Sequence, residues 1–489
     1  MKRSIVVALA CSIACVPARA RAQGMLGEAA EIPAPPPPLV SLQSAPQRST
    51  ALTLEEVLGN VKARFPLLQA EQQRANAASG DELSARGSFD PKWKTKGTFI
   101  PVGYYKYAIV DSTIEQPLYY GGASIFANYN IGQGKFPLYY DGYRTNSLGE
   151  VRLGVSLPIL RGSTIDPERA KLWKAEAGVT VARQEVVETL LELQQKAAYR
   201  YWEWVAAAKK LVLAKELLVR AVDRQAGITT RVTRGDAPET ERVDNARTIV
   251  QREQQVVSAE RALTGARLGL SLFVRDESGN PVIPSPERVP TSFPEPVAID
   301  GPTLERDLAR ASSLRPEIRK YEAKRRQYEV ERDLARNDAW PALNVVVAGA
   351  KQFGDGYPQY QPAQLEAGVV LDIPLRTRKQ DGRADAANAH RIAYELELRY
   401  ARDKIAVEVR DAAAGADAAA QRLQLTRNEV QLARQLEQAE RRRFEMGDST
   451  ILFVNIREQN SFEAATRELD TLLEHQKALS SYRAVIGRS

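Results

Sequence analysis

Apolar residues recur along much of this chain in alternate steps of three and four, the spacing of a coiled-coil helix. One stripe runs through Ile405, Val409, Ala412, Ala416, Ala419 and Leu423, another through Val256, Ala259, Leu263, Ala266 and Leu270. From Asp166 to Val232 no proline follows Pro167, which sits in a first turn where its missing donor is harmless. A run of about 67 residues predicts a helix about 100 Å long, more than a compact globule needs. Helices of about 36 residues are expected near Thr53–Phe89 and Pro238–Phe273, so that two end to end match one long helix. Many stripe residues are alanine, which lets helices approach closely and form a wall one helix thick.

A second periodicity interrupts the first. Val151-Arg152-Leu153-Gly154-Val155-Ser156-Leu157 alternates strictly, and 365–373 nearly does. Period two puts Val151, Leu153, Val155 and Leu157 on one face, matched by Leu365, Ala367, Val369, Leu371 and Ile373. Arg152, Ser156, Glu366 and Asp372 fall on the other. Partner strands are expected over 92–99, where Lys92, Lys94 and Lys96 oppose Trp93, Thr95 and Phe99, and over 343–350. The pattern thus predicts four strands per chain, with an apolar face suited to lipid and a polar face suited to water. A half-buried sheet of a soluble protein would alternate in the same way. Nine of the eighteen tyrosines lie between Tyr104 and Tyr143, beside these strands, and aromatic residues gather at bilayer interfaces. Four strands cannot close a barrel, and open edges are not tolerated in lipid, so the pattern also predicts an oligomer.

The chain is written twice. Pro66 and Pro316 are 250 residues apart, as are Pro91 and Pro341, and at that offset Thr53-Leu54-Glu55 meets Thr303-Leu304-Glu305. Leu157-Pro158-Ile159 meets Ile373-Pro374-Leu375 at an offset of 216, and Arg231-x-x-x-Gly235-Asp236 meets Arg443-x-x-x-Gly447-Asp448 at 212. The first half therefore carries a surplus between its strands, expected to be a loop. Because Pro117-Leu118-Tyr119-Tyr120-Gly121 returns as Pro137-Leu138-Tyr139-Tyr140-Asp141, that loop is expected to form a hairpin of its own outside the membrane. The resulting organisation is a leader (1–22), a proline-rich disordered segment (23–51), a first repeat (52–273), a proline-rich linker (274–302) and a second repeat (303–489).

Composition narrows the function. Lys2 and Arg3, an apolar run from Ile5 to Val16 and either Ala18-x-Ala20 or Ala20-x-Ala22 form a secretory leader. Cys11 and Cys15, the only cysteines, lie within it, so the mature chain has no thiol for a disulfide, metal or nucleophile. Ser12-Ile13-Ala14-Cys15 also resembles a lipoprotein cleavage site, in which Cys15 would carry lipid. Losing Lys2, Arg3, Arg19 and Arg21 lowers the net charge of +7 by four, to +3, which is no nucleic-acid-binding stripe. His390 and His475, the only histidines, each fall in a helical run and read as helix-surface residues. Gly132-x-Gly134-Lys135 lacks the rest of a phosphate loop, and no Gly-x-Ser-x-Gly elbow occurs. An enzyme is not expected, and neither is a cofactor or a bound metal.

With duplicated halves, strand pairs and Gly-Asp turns in place, the chain resembles the TolC-type outer membrane factors over residues 52 to 487. Arg443-Phe444-Glu445-Met446-Gly447-Asp448-Ser449-Thr450-Ile451-Leu452 looks like the family's Arg-aromatic-x-x-Gly-x-x-Ser-x-Leu hairpin tip, and Arg231 to Pro238 is a looser copy. The resemblance implies a mainly α fold with membrane β-strands. Three copies would share one twelve-stranded outer-membrane barrel, and their helices would form a hollow periplasmic α-barrel. It also implies a passive duct of a tripartite efflux pump or type I secretion system in a Gram-negative-type envelope, whose tips meet a periplasmic adaptor joined to an inner-membrane pump. Arg231, Gly235, Asp236, Ala237, Arg443, Gly447, Asp448 and Ser449 would make that contact. Glu440, Arg441, Arg442 and Glu445 would be gate residues, and Lys92, Lys94, Lys96, Arg152, Glu366 and Asp372 would line the barrel. The short tail after Tyr482 departs from relatives with a long C-terminal segment, so any equatorial band must come from near the proline linker. A periplasmic adaptor, with a single hairpin, and a purely structural coiled coil are the alternative classes.

Overall fold

The computed structural model describes residues 51–297 and 299–488; the expected leader with Cys11 and Cys15, and the proline-rich segment up to residue 50, lie outside them. Helix α1 (Leu54–Arg64) opens on Thr53, whose hydroxyl accepts from the Glu56 amide at 3.1 Å. It was expected to run on to Phe89, but it stops at Phe65. Proline 66 forces that residue to φ −76°, ψ 120°, and α2 (Pro66–Arg86) starts afresh. The same chemistry at Arg315 separates α5 (Gly301–Leu314) from α6 (Pro316–Asp338).

The long helices are continuous. Helix α3 spans Pro167–Thr233, 67 residues, and its N-cap Asp166 accepts from the Arg169 amide at 2.8 Å. Helix α7 spans Arg378–Glu445, 68 residues. Each turns back into a helix half as long, α4 (Glu239–Ser271) after α3 and α8 (Ile451–Val485) after α7. Nearer the strands α2, α3, α6 and α7 pack side by side, and nearer the turns the order is α4, α3, α8, α7. Four helices thus lie abreast near the strands, one layer thick, whereas near the turns α4 also packs on α8. No helix among the described residues is long and apolar enough to cross a membrane.

Two clusters anchor this layer near mid-helix. In the first, Tyr201, Trp202, Trp204 and Val205 of α3 pack with Val57 and Val61 of α1, Leu270 of α4 and Val274. Trp204 is fully buried. The proline-rich segment joins this cluster: Phe293 stacks on Trp202 at 5.5 Å, and the Leu52 amide donates to the Arg288 carbonyl at 2.8 Å. In the second cluster Leu398, Ala401, Ile405, Val409 and Ala413 of α7 meet Ala311, Ile318, Tyr482 and Ile486, and the Tyr482 hydroxyl donates to Asp307 at 2.9 Å. The α7 stripe read from the sequence is buried, with Ala413 taking the place expected for Ala412.

The sheet has six antiparallel strands, not the expected four. They are β1 (Lys92–Ile100), β2 (Tyr107–Pro117), β3 (Ser124–Gly134), β4 (Glu150–Pro158), β5 (Ala342–Gln352) and β6 (Gln364–Asp372), hydrogen-bonded in that order. The surplus of the first half is a strand pair, β2–β3, set between β1 and β4. The two Tyr-Tyr motifs do not pair into a hairpin: the first makes the turn between β2 and β3, and the second lies in a 3-10 turn (138–143) at the opposite end of β3.

Candidate functional site

Register and alternation sort the sheet into two faces. Trp93, Thr95 and Phe99 of β1 sit level with Ile114, Ser112 and Ala108 of β2, and these with Ala127, Tyr129 and Gln133 of β3. The same face continues through Val151, Leu153 and Val155 of β4, Val345 and Val347 of β5, and Leu365, Val369 and Leu371 of β6. It is apolar and largely exposed, with Trp93 at 76% and Leu365 at 82%. A soluble protein would bury such a face or cover it.

The opposite face collects the charges of the sheet apart from Lys351, which stands opposite Val151. Lys92, Lys94 and Lys96 stand opposite Glu115, Thr113 and Asp111, and Lys94 lies 3.9 Å from Glu115. Arg152 pairs with Glu150 and with Glu366, each at 3.2 Å, and Asp372 pairs with Arg161 at 2.7 Å. Asn128 donates to Asp111 at 3.1 Å and to Thr113 at 2.8 Å. All six residues expected to line a barrel interior therefore share one face, and Asp111, Glu115, Asn128 and Glu150 join them. Arg161 lies just past β4.

At the other end of the molecule the two turns are built alike. The Gly235 amide donates to the Val232 carbonyl at 3.0 Å and the Asp236 amide to Arg231 at 2.9 Å; Gly447 donates to Phe444 at 3.1 Å and Asp448 to Arg443 at 2.9 Å. This is the Schellman stop, which needs a left-handed residue; Gly235 has φ 81° and Gly447 φ 87°. The turns also touch. The Arg231 guanidinium lies 5.3 Å from the centre of the Phe444 ring, and Ile228, Ile451 and Val454 form a small core beneath. Arg443 donates to the Asp448 carbonyl at 3.2 Å. Ala237 is half-buried, and Ser449 donates to Glu440 rather than capping α8, whose cap is Thr450.

No protein-family model and no curated protein matches the chain. Solved structures do. A membrane protein from Pseudomonas aeruginosa superposes with a TM-score of 0.61 at 16% identity, covering 94% of this chain and 99% of its own. The open state of the Neisseria gonorrhoeae outer membrane channel MtrE gives 0.63 at 14% identity, covering 89% of each. The outer membrane protein VceC of Vibrio cholerae gives 0.61 at 14% identity, covering 89% of this chain and 96% of its own. The chain has the TolC-type outer membrane channel fold.

Within this fold the four expected gate residues do not share one environment. Arg442 and Glu445 are exposed, whereas Glu440 is buried, holding Ser449 and lying 3.6 Å from Arg443. Arg441 turns inward, 2.9 Å from Glu437 and 3.0 Å from Glu458. It joins a buried network that sequence reasoning missed. Arg224 of α3 donates to both Glu458 oxygens, at 2.9 and 3.0 Å, and to Asn455 at 2.9 Å. Arg252 of α4 donates to Glu458 at 2.8 Å and to the Leu217 carbonyl at 2.7 Å, and Arg220 reaches Glu437 at 2.8 Å. Burial alone would raise the Glu458 pKa, but the hydrogen bonds and charges of Arg224 and Arg252 outweigh it and hold the carboxyl at about 2. The signal was present: continuing the α4 stripe back from Val256 in helical steps lands on Arg252, Thr248 and Asn245, all buried. His475 is likewise a correction, since it is fully buried in α8, while His390 is exposed and stacks on Tyr328 at 4.7 Å.

Proposed function

We propose that this chain is the outer membrane channel of an envelope efflux or secretion assembly. In this reading three copies close a shared barrel in the outer membrane, and their helices form a periplasmic cylinder assembled from two repeats per chain that are alike in outline. The observation that carries it is the sheet with one mainly apolar face across all six strands and charges gathered on the other face of β1, β2, β4 and β6, whose outermost strands β1 and β6 each have one neighbour. Lipid suits the first face and water the second, and edges left unpaired in lipid require further copies.

The helical layer supports the same closure. Its flanks are α4 and α7, and both leave apolar stripes in solvent: Val243, Val250 and Val257, seven apart, on α4, and Leu425, Leu432 and Leu436 on α7. Unlike surfaces on opposite flanks make head-to-tail contacts, which close into a ring when the rotation from copy to copy divides a full turn. Flow through the duct is passive, with energy supplied by an inner-membrane pump through a periplasmic adaptor at the hairpin ends. There the exposed Asp236, Arg443 and Asp448 present charge beside Gly235 and Gly447. The inner barrel face carries both signs, so it selects for neither anionic nor cationic cargo.

A periplasmic adaptor is the second reading considered. Two hairpins and a six-stranded amphipathic sheet speak against it. Membrane fractionation with an unboiled gel tests the choice. An outer-membrane oligomer that dissociates on boiling is expected, and a soluble monomer overturns the proposal.

A further inference from the structure

We propose that β2 and β3 are barrel strands in their own right, so that each copy supplies six strands and a ring of three copies has eighteen. The inference rests on the channel reading above. It departs from the four strands per copy that the family resemblance implies.

Pairing is the first argument. Strand β2 is matched to β1 from Lys92↔Glu115 to Ile100↔Tyr107, and to β3 from Tyr107↔Gly134 to Pro117↔Ser124. Strand β3 is in turn matched to β4 from Ser124↔Ser156 to Asn130↔Glu150. The pair is therefore embedded in the sheet, and β1 reaches β4 only through it. An appended external hairpin would leave β1 and β4 as neighbours.

The second argument is chemical. The pair follows the same division of faces as the rest of the sheet at most positions, with Val110, Ile114, Ile125, Ala127 and Ile131 on the apolar side and Asp111, Thr113, Glu115, Asn128 and Asn130 on the other; Ser112, Gln116 and Gln133 on the first side and Tyr107, Ile109 and Phe126 on the second are the exceptions. Each strand has 11 residues, as does β5, and a strand of about 9–11 residues tilted near 45° spans a bilayer. Aromatic rings mark both ends. Tyr119 packs edge-on to Phe89 and accepts from the Trp173 indole at 2.9 Å at the helical end, and Tyr107 stacks on Phe136 at the far end.

The third argument is width. Strands about 4.8 Å apart and tilted 35–45° each occupy about 6–7 Å of a barrel's circumference, so six occupy about 35–41 Å. Four helices abreast, about 8–10 Å apart, occupy about 32–40 Å. Six strands therefore fit over the four-helix layer of one copy, whereas four would span only about 23–27 Å. Barrel diameter grows in proportion to strand number, so the bore would be about 1.5-fold wider than with four strands per copy.

Disulfide mapping in intact outer membranes, on the full-length protein with an added oxidant, tests this. Thr95, Ser112, Tyr129 and Val151 share one level across β1 to β4. The pairs Thr95→Cys with Ser112→Cys and Tyr129→Cys with Val151→Cys are expected to cross-link. The pair Thr95→Cys with Val151→Cys, three strand spacings or about 14 Å apart, is expected not to. A disulfide between 95 and 151 overturns the inference. In a second measurement, nitroxide labels at 125, 127 and 129 should favour oxygen and those at 128 and 130 a water-soluble nickel chelate. Nickel access without alternation would place the pair outside the bilayer. If the unmodified chain forms no membrane oligomer, the channel reading fails first; if the oligomer forms and either result goes against six strands, only this inference fails.

Discussion

The two helical hairpins are alike in outline and unlike inside. Helices α3 and α7 differ by one residue in length, and both end in the same glycine stop. Yet α3 carries an aromatic cluster at mid-length, with Tyr201, Trp202 and Trp204, where α7 carries Ala401, Ile405, Val409 and Ala413. Toward the turns the first hairpin contributes Arg220, Arg224 and Arg252 to the buried network and the second contributes Glu437 and Glu458, with Arg441. Matching length and turn chemistry thus sets the frame, and the interior makes the two hairpins complementary rather than interchangeable.

The largest way to break this complementarity is Glu458→Ala, which strands Arg224 and Arg252 in a buried site. About 3–5 kcal/mol should be lost from docking of the hairpin ends, read as faster amide exchange along α4 and α8. Acid should mimic it. The Glu458 pKa is held down at about 2, so its contribution is complete above the unfolded value near 4.5 and is lost as pH falls through about 2. Exchange measured from pH 7 to 5 should be insensitive to this group. Next, Trp204→Ala should cost about 3–5 kcal/mol and Ile405→Ala about 2–3 kcal/mol by denaturant titration. Equal costs would mean that the aromatic and aliphatic clusters do the same structural job. Smaller again, Gly235→Ala and Gly447→Ala should each cost about 1 kcal/mol, because φ near 80° disfavours any Cβ although neither glycine has a neighbour to clash with. Smallest in stability, near zero, should be reversing Arg443 and Asp448 together. Its expected effect is loss of adaptor cross-linking with the membrane oligomer intact, and loss of folding instead would make the pair structural.

The helices were legible because their signals are local: no proline, a three-four stripe and a glycine stop. The kinks at Phe65 and Arg315 were legible too, in Pro66 and Pro316, although the expected helix ran through the first of them. Strands β4 and β6 announced themselves by alternation. Strands β2 and β3 did so less clearly: Asn128-Tyr129-Asn130-Ile131 alternates, but Tyr107, Ile109 and Phe126 set apolar residues on the charged face, and Ser112, Gln116 and Gln133 set polar ones on the apolar face. Their partners lie on adjacent strands, and cross-strand register is not written in either segment alone. The Arg–Glu network was hidden for a different reason. Charged residues on a long helix ordinarily face water, and only the phase of Arg252 within its stripe distinguished it from the surface.

For the proposed duct, the placement of β2 and β3 has a consequence for how its bore can vary. An antiparallel sheet that must begin and end on the same side can add strands only in pairs. A pair set between β1 and β4 leaves every other strand with its direction, its facing and its attached helix unchanged. Bore is then a quantity that descent can alter in discrete steps, by duplication or loss of a single hairpin, while the machinery at the far end of the helices is inherited untouched.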